Sequence, residues 1–137
     1  MELFQAPFST RRAIYGSIDR SNFPGTFRSF DVASPDQHSP QRFLTTVPQQ
    51  ALYLMNSPFV AEQAKAVVAR AEVKEAKDDG RKVTALYRAV LGRSPTTEEM
   101  TLAVEFVKDG STAVGKLGPW EQLAQVLLLS NEFAVVD

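Results

Sequence analysis

The chain contains no cysteine and only one histidine, His38, among its 137 residues. Without cysteine it has no disulfide framework, no thiolate nucleophile and no site for covalent haem attachment. A single histidine in a proline-flanked loop cannot assemble a transition-metal site by itself. The sequence therefore predicts a protein that holds no metal, haem or other cofactor of its own.

Long apolar runs and an excess of one charge are also missing. The chain has 15 basic and 16 acidic residues, a net charge of -1 and 44% hydrophobic residues. No run approaches the roughly 18 apolar residues of a membrane-spanning helix, and no basic excess marks a nucleic-acid-binding surface. We expect a globular domain that neither inserts into a membrane nor binds nucleic acid.

Catalytic motifs are absent from the sequence as well. No glycine-rich phosphate loop or G-x-S-x-G elbow occurs, and the hydroxyls of Ser9 and Thr46 have no partner base except His38. The acidic residues Glu98, Glu99 and Glu132 are interpreted as helix-terminus charges rather than as an acid–base pair. The sequence thus predicts that this chain alone is not an enzyme.

Composition changes near residue 60. Seven of the nine phenylalanines precede it, every lysine follows it, and all five basic residues of the first part are arginines. Arginine pairs bidentately with carboxylates, so these side chains predict either an anion-binding patch or, as we favour, ion pairs that hold irregular backbone. We expect Arg42 to be at least half buried and paired with Asp31 or Asp36.

Residues 1–44 predict an irregular segment rich in arginine and phenylalanine that packs on the helices. Weak alternation over Arg12 to Ile18 permits one short strand, and phenylalanine spacing predicts a short helix over Thr26 to Asp31. Phe4 and Phe8 are too apolar for a free tail. We expect them to contact upstream parts of a larger protein, or a second copy of the chain.

Residues 45–137 predict a helical domain, which makes the fold mainly α, a small bundle of about four or five helices. Capping boxes start at Thr46 and Thr96, and Ser57-Pro58 and Pro119 open two further helices. Gly92 ends the third helix as a left-handed cap. Apolar residues recur at helical spacing in each helix, and in the first of them these are Val47, Ala51, Leu54 and Met55. In the other helices they predict the buried faces, and these are Val60, Ala64, Val67, Val68, Ala71, Val83, Leu86, Tyr87, Val90, Leu91, Met100, Ala103, Val104, Val107, Trp120, Leu123, Ala124, Leu127 and Leu128.

An ordered set of motifs spans nearly the whole chain. It comprises Ser9 to Gly16, Asp19-Arg20, Phe30-Asp31, Ser34-Pro35-Asp36, Pro40-Gln41-Arg42, Thr45 to Leu52, Met55 to Val60, Leu86-Tyr87-Arg88, Leu91 to Thr96 and Ser130 to Phe133. The set resembles the domain of unknown function that ends large planctomycete and verrucomicrobial proteins carrying a planctomycete-type cytochrome c domain. The resemblance implies a C-terminal piece of a larger, exported protein of the cell envelope, and it implies no catalytic residues.

The last third also resembles a helical repeat domain of bacterial surface and secreted proteins, through Tyr87-Arg88, Leu91 to Arg93, Pro95 and Ser130 to Phe133. We interpret these residues as packing elements rather than as a ligand site. Gly92 reverses the chain, Arg93 caps carbonyl groups, and Glu132 with Phe133 docks the last helix on the third.

The function predicted on these grounds is that of a non-catalytic structural or protein-interaction module. One alternative is a wall of an enzyme or electron-transfer assembly whose active site or haem lies upstream in the parent protein. A second alternative is a carbohydrate-binding module, in which exposed Tyr15, Tyr53 or Trp120 would stack on sugar rings. The helical spacing of Trp120 favours a place in the core.

Overall fold

A computed structural model of the chain describes residues 15, 25–30, 32, 48–110 and 117–134. These residues form eight helices and no strand. The helices are α1 (Gly25–Ser29), α2 (Pro48–Asn56), α3 (Pro58–Val68), α4 (Ala71–Lys74), α5 (Asp79–Leu91), α6 (Thr97–Asp109), α7 (Pro119–Leu129) and α8 (Asn131–Ala134). Five span nine residues or more and three are single turns. The predicted mainly-α fold is confirmed.

The chain divides into two compact units, Met1–Leu54 and Met55–Asp137. The predicted division at residues 44 and 45 stays a prediction. In the first unit, the Tyr53 ring of α2 meets Phe30 edge-on at 5.8 Å between centroids, and its hydroxyl lies 2.8 Å from the Thr26 hydroxyl. Of the segment predicted to hold a strand, the structure describes only Tyr15, which lies in a 3-10 turn.

Helix α3 begins as predicted, with Ser57 as N-cap and Pro58 in the first turn. It ends earlier than predicted, at Val68, because Arg70 is extended, with φ of -61° and ψ of 142°. The chain turns there into the single-turn helix α4. The expected core position of Ala71 is therefore wrong: Ala71 is exposed, and Val73 of α4 is completely buried instead.

Helix α5 carries the central core residues of the second unit. Its N-cap is Asp78, whose Oδ1 accepts a hydrogen bond from the Arg81 N–H at 2.8 Å. Val83 and Leu86 on its inner face are completely buried. The helix ends at Gly92, whose φ of 73° is strained for any residue with a Cβ atom.

Helix α6 begins with the predicted capping box. The Thr96 hydroxyl accepts from the Glu99 N–H at 3.3 Å, and Glu99 Oε2 accepts from the Thr96 N–H at 2.7 Å. The helix ends before Gly110, where a Cβ atom would lie 2.9 Å from the Pro119 ring. Glycine is required at this position because the start of α7 approaches it so closely.

The core of the second unit is built from α3 to α7. Its buried members are Ala64, Val73, Val83, Leu86, Tyr87, Ala103, Leu123, Ala124 and Leu127. Among the described helices, α3 and α7 make the most extensive contact of any pair. Helix α7 also contacts α5 and α6. The predicted apolar stripes of α5, α6 and α7 thus face one common interior.

Candidate functional site

The structure brings together two of the seven residues that the sequence singles out. Arg93 follows the left-handed Gly92, and Glu132 lies on α8, and their side chains form an ion pair. The other five, Phe4, Phe8, Asp31, Asp36 and Arg42, lie outside the described residues. The pairing of Arg42 and the interface at Phe4 and Phe8 therefore stay predictions.

Arg93 uses all five of its N–H donors. Nη1 and Nη2 donate to the two carboxylate oxygens of Glu99 at 2.8 and 2.7 Å. Nε and Nη2 donate to those of Glu132 at 2.6 and 2.8 Å, and Nη1 also reaches the Ser94 carbonyl at 3.2 Å. A guanidinium carries no further donors, so Arg93 is saturated by the protein itself. It caps one carbonyl, as predicted, but its main partners are carboxylates.

Glu99 joins this cluster through two roles at once. Its Oε2 atom accepts from Arg93 and also from the Thr96 backbone N–H in the capping box. These hydrogen bonds, led by the one from Arg93, lower the pKa of Glu99 from 4.5 to about 2. The hydrogen bond from Arg93 likewise lowers the pKa of Glu132. Both carboxylates are held ionised, which opposes their use as proton donors near neutral pH.

Tyr87 forms the floor of the cluster. The Arg93 guanidinium carbon lies 5.7 Å from the centroid of the Tyr87 ring, and Tyr87 belongs to the buried core. Burial raises the pKa of the Tyr87 phenol, and the neighbouring Glu99 charge adds to this effect. We call Tyr87, Arg93, Glu99 and Glu132 the Arg93 cluster. It ties the end of α5 to the start of α6 and to α8.

Membership of Glu99 and Tyr87 in this cluster was not predicted from the sequence. A signal for Glu99 was present, because the capping box turns its side chain back towards the residues that precede the helix, where Arg93 lies. The motif from Ser130 to Phe133 had already marked Glu132 as a residue that docks the last helix on the third, but its pairing with Arg93, 39 residues away along the chain, was not predicted.

Two exposed apolar side chains lie one turn apart on α6. Leu102 is 65% exposed and Phe106 is 40% exposed. The core-facing residues of the same helix are Ala103, which is buried, and its partly buried neighbours Val104 and Val107. Leu102 and Phe106 therefore form a second apolar face, which we call the α6 outer face.

The aromatic residues considered for sugar stacking have different surroundings. Trp120 packs against the core, and the Lys82 ammonium lies 4.4 Å from its ring centroid. Tyr53 is engaged with Thr26 and Phe30, as described above. Tyr15 is 72% exposed. The predicted core position of Trp120 agrees with its packing.

The described residues provide neither a cluster of metal ligands nor a membrane-spanning helix. Within them, no three His, Cys, Asp or Glu side chains are grouped so that they could hold a metal ion. No helix in the same part of the chain is both long and apolar enough to cross a membrane.

Comparison with known protein families gives a match over most of the chain. Residues 4–107 match the model of the family PSD1, described as "Protein of unknown function (DUF1553)". No curated protein and no solved structure matches the chain. Since the match covers most of the sequence, the chain belongs to the PSD1 (DUF1553) family of proteins of unknown function.

Proposed function

We propose that this chain is a non-catalytic structural and protein-interaction module whose α6 outer face binds another part of a larger parent protein. The observation that carries the proposal is the exposure of Leu102 and Phe106 on a helix whose other apolar face already fills the core. A surface helix normally turns polar residues outward. Burying a fully exposed Leu or Phe contributes about 1.5–3 kcal/mol, and burying the exposed parts of Leu102 and Phe106 would contribute a corresponding share of that to an interface.

The Arg93 cluster supports a structural role for its residues. Its guanidinium has no donor left for a ligand, and its carboxylates are engaged by protein donors. Such a saturated network fixes the positions of helix ends, and here it holds α8 and the start of α6 against the end of α5. This rigid frame would present the α6 outer face in a constant geometry.

The resemblance described above supplies the setting of the proposal. It implies that the chain ends a large exported protein of the cell envelope, of the planctomycete type that also carries a cytochrome c domain. The partner that we propose is accordingly the upstream region of that parent protein. The alternative role, as a wall of an enzyme or electron-transfer assembly, rests on the same resemblance.

The test is a binding assay between this chain and the separately produced remainder of its parent. We expect Leu102→Ser with Phe106→Ser to weaken binding at least tenfold and to leave helix content by circular dichroism unchanged. Thr101→Ser with Glu105→Gln is the matched control, because these exposed residues have the same spacing on the same helix. We expect it to bind like the wild type.

Three outcomes would overturn this function. The first is that the wild-type chain does not bind the remainder of its parent, and the second is that the control variant loses as much binding as the test variant. The third is that the chain forms a dimer, which the Leu102→Ser, Phe106→Ser variant does not form, and that it does not bind the remainder. Retained binding together with loss of the parent's redox activity in the variant would favour the alternative role as an assembly wall.

A further inference from the structure

A cleft of about 640 Å³ lies between α5 and the α3–α4 junction in the second unit. Its wall includes three arginines and one acidic residue over a floor of small side chains, and these residues are Arg70, Glu72, Arg81, Thr84, Ala85 and Arg88. We call it the arginine cleft. Its volume is within the range of about 300–1,000 Å³ that small-molecule sites occupy.

Two of the arginines are aligned by the helix itself. Arg81 and Arg88 lie seven residues apart on α5, so they share one face with Thr84 and Ala85 between them. The third, Arg70, reaches the cleft from the extended residue that separates α3 from α4. The same break that moves Val73 into the core thus brings a third guanidinium to this face of α5.

The charge of the cleft is positive. Three guanidinium groups against the carboxylate of Glu72 give a net charge of +2, and counting Asp78, which pairs with Arg81 from outside the lining, leaves +1. The whole chain has a net charge of -1. The excess of positive charge is therefore a local property of this cleft.

The donors of these arginines are largely available, unlike those of Arg93. Among the described residues, Arg88 donates only to the Ser94 hydroxyl, which lies 3.3 Å from both Nε and Nη2. Arg81 meets Asp78 at 3.2 Å in a pair whose side chains are 72% and 57% exposed. The structure gives the Arg70 side chain no hydrogen-bond or ion-pair partner among the described residues.

We propose that the arginine cleft binds a small polyanion that carries at least two carboxylate or phosphate groups. Planar guanidinium forks match both kinds of oxyanion bidentately, and three of them around one concave surface favour a multivalent ligand over a single anion. The small side chains of Thr84 and Ala85 leave room for the ligand body. The carboxylate of Glu72 repels anions and so lowers the affinity of the cleft for small monovalent anions.

The experiment uses the intact chain and two probes, pyrophosphate and tricarballylate, in calorimetric titrations at low ionic strength, with acetate as the monovalent comparison. We expect one molecule of a multivalent probe to bind per chain, and Arg70→Gln or Arg88→Gln to weaken it roughly tenfold each. Glu72→Gln should tighten binding severalfold. Preference for one probe identifies the oxyanion as phosphate or carboxylate.

Lys108→Gln and Glu105→Gln are the matched controls. Both residues are exposed on α6, line a different cleft and change the net charge by the same amounts as the test variants. They should leave binding unchanged. The proposal is overturned by binding of neither probe, by acetate binding as tightly as the multivalent probes, or by Lys108→Gln weakening binding as much as Arg88→Gln does.

Discussion

Glu99 should make the stability of the protein depend on pH in the acid range, and Glu99→Gln should remove that dependence. Its pKa in the folded protein is about 2, against an ordinary value of 4.5. A carboxyl with a lowered folded-state pKa contributes stability that is complete above the unfolded-state pKa and is lost as pH falls through the folded-state pKa. The contribution of Glu99 should therefore fade between pH 4.5 and about pH 2.

The size of the effect follows from the protons bound in each state. At about pH 3.2, midway between the two pKa values, Glu99 is about 95% protonated in the unfolded chain and about 5% protonated in the folded one. The slope of the free energy of unfolding against pH therefore contains ~0.9 of a proton from this residue. Glu132 adds a further contribution of the same sign, because its pKa is also lowered.

Urea unfolding followed by circular dichroism, from about pH 7 down to about pH 2, measures this slope. We expect Glu99→Gln to be less stable than the wild type at neutral pH and to show a slope that is shallower by ~0.9 of a proton near pH 3.2. Glu98→Gln is the matched control. Glu98 is the adjacent exposed residue in the same first turn of α6, so its substitution removes an equal charge from the helix N-terminus.

Two results would refute the reasoning. If Glu99→Gln and the wild type lose stability in parallel as pH falls, Arg93 does not hold the Glu99 carboxylate ionised. If Glu98→Gln flattens the slope as much as Glu99→Gln does, the effect comes from general charge at the start of α6 and not from the Arg93 cluster.

Two further predictions concern the helical unit. Leu86 is completely buried, so Leu86→Ala should lower the free energy of unfolding by about 2–5 kcal/mol. Leu102 is exposed, so Leu102→Ala should change that free energy by no more than about 0.5 kcal/mol. Equal losses for the two variants in urea unfolding would contradict the described core. Gly92→Ala should cost about 1–2 kcal/mol from backbone strain alone, since φ is 73° and an added Cβ atom has no neighbour within 4 Å. Thermal unfolding tests it, and an unchanged Tm would show that the left-handed turn is not required.

Sequence signals predicted the helix ends where the determinant is local. Pro58, the Thr96 capping box and Gly92 each act within a few residues of the boundary that they set, and each lies where the pattern placed it. The inward faces of α5 and α7 were predictable for a similar reason. Their apolar residues recur at the helical period over the full length of each helix.

Features that depend on distant residues were not predictable in this way. Because the helix breaks at Arg70, Val73 and not Ala71 lies in the core. No proline or glycine marks this break in the sequence. The arginine cleft depends on that break, because it brings Arg70 to the face of α5. The sequence predicted that Glu132 docks the last helix on the third, but not its hydrogen bonds to Arg93, because these require α8 to fold back across 39 residues.

Because α7 packs along α3, the packed unit extends beyond the residue at which the family match ends. The family match ends at residue 107, inside α6, whereas Leu123 and Leu127 of α7 are buried in the same interior as Leu86. A fragment cut at residue 107 would expose the apolar faces of α3 and α5 to water, and these faces would then associate with other copies of the fragment. This chain should therefore be studied as a fragment that includes α7, because α7 completes the core that the matched residues begin.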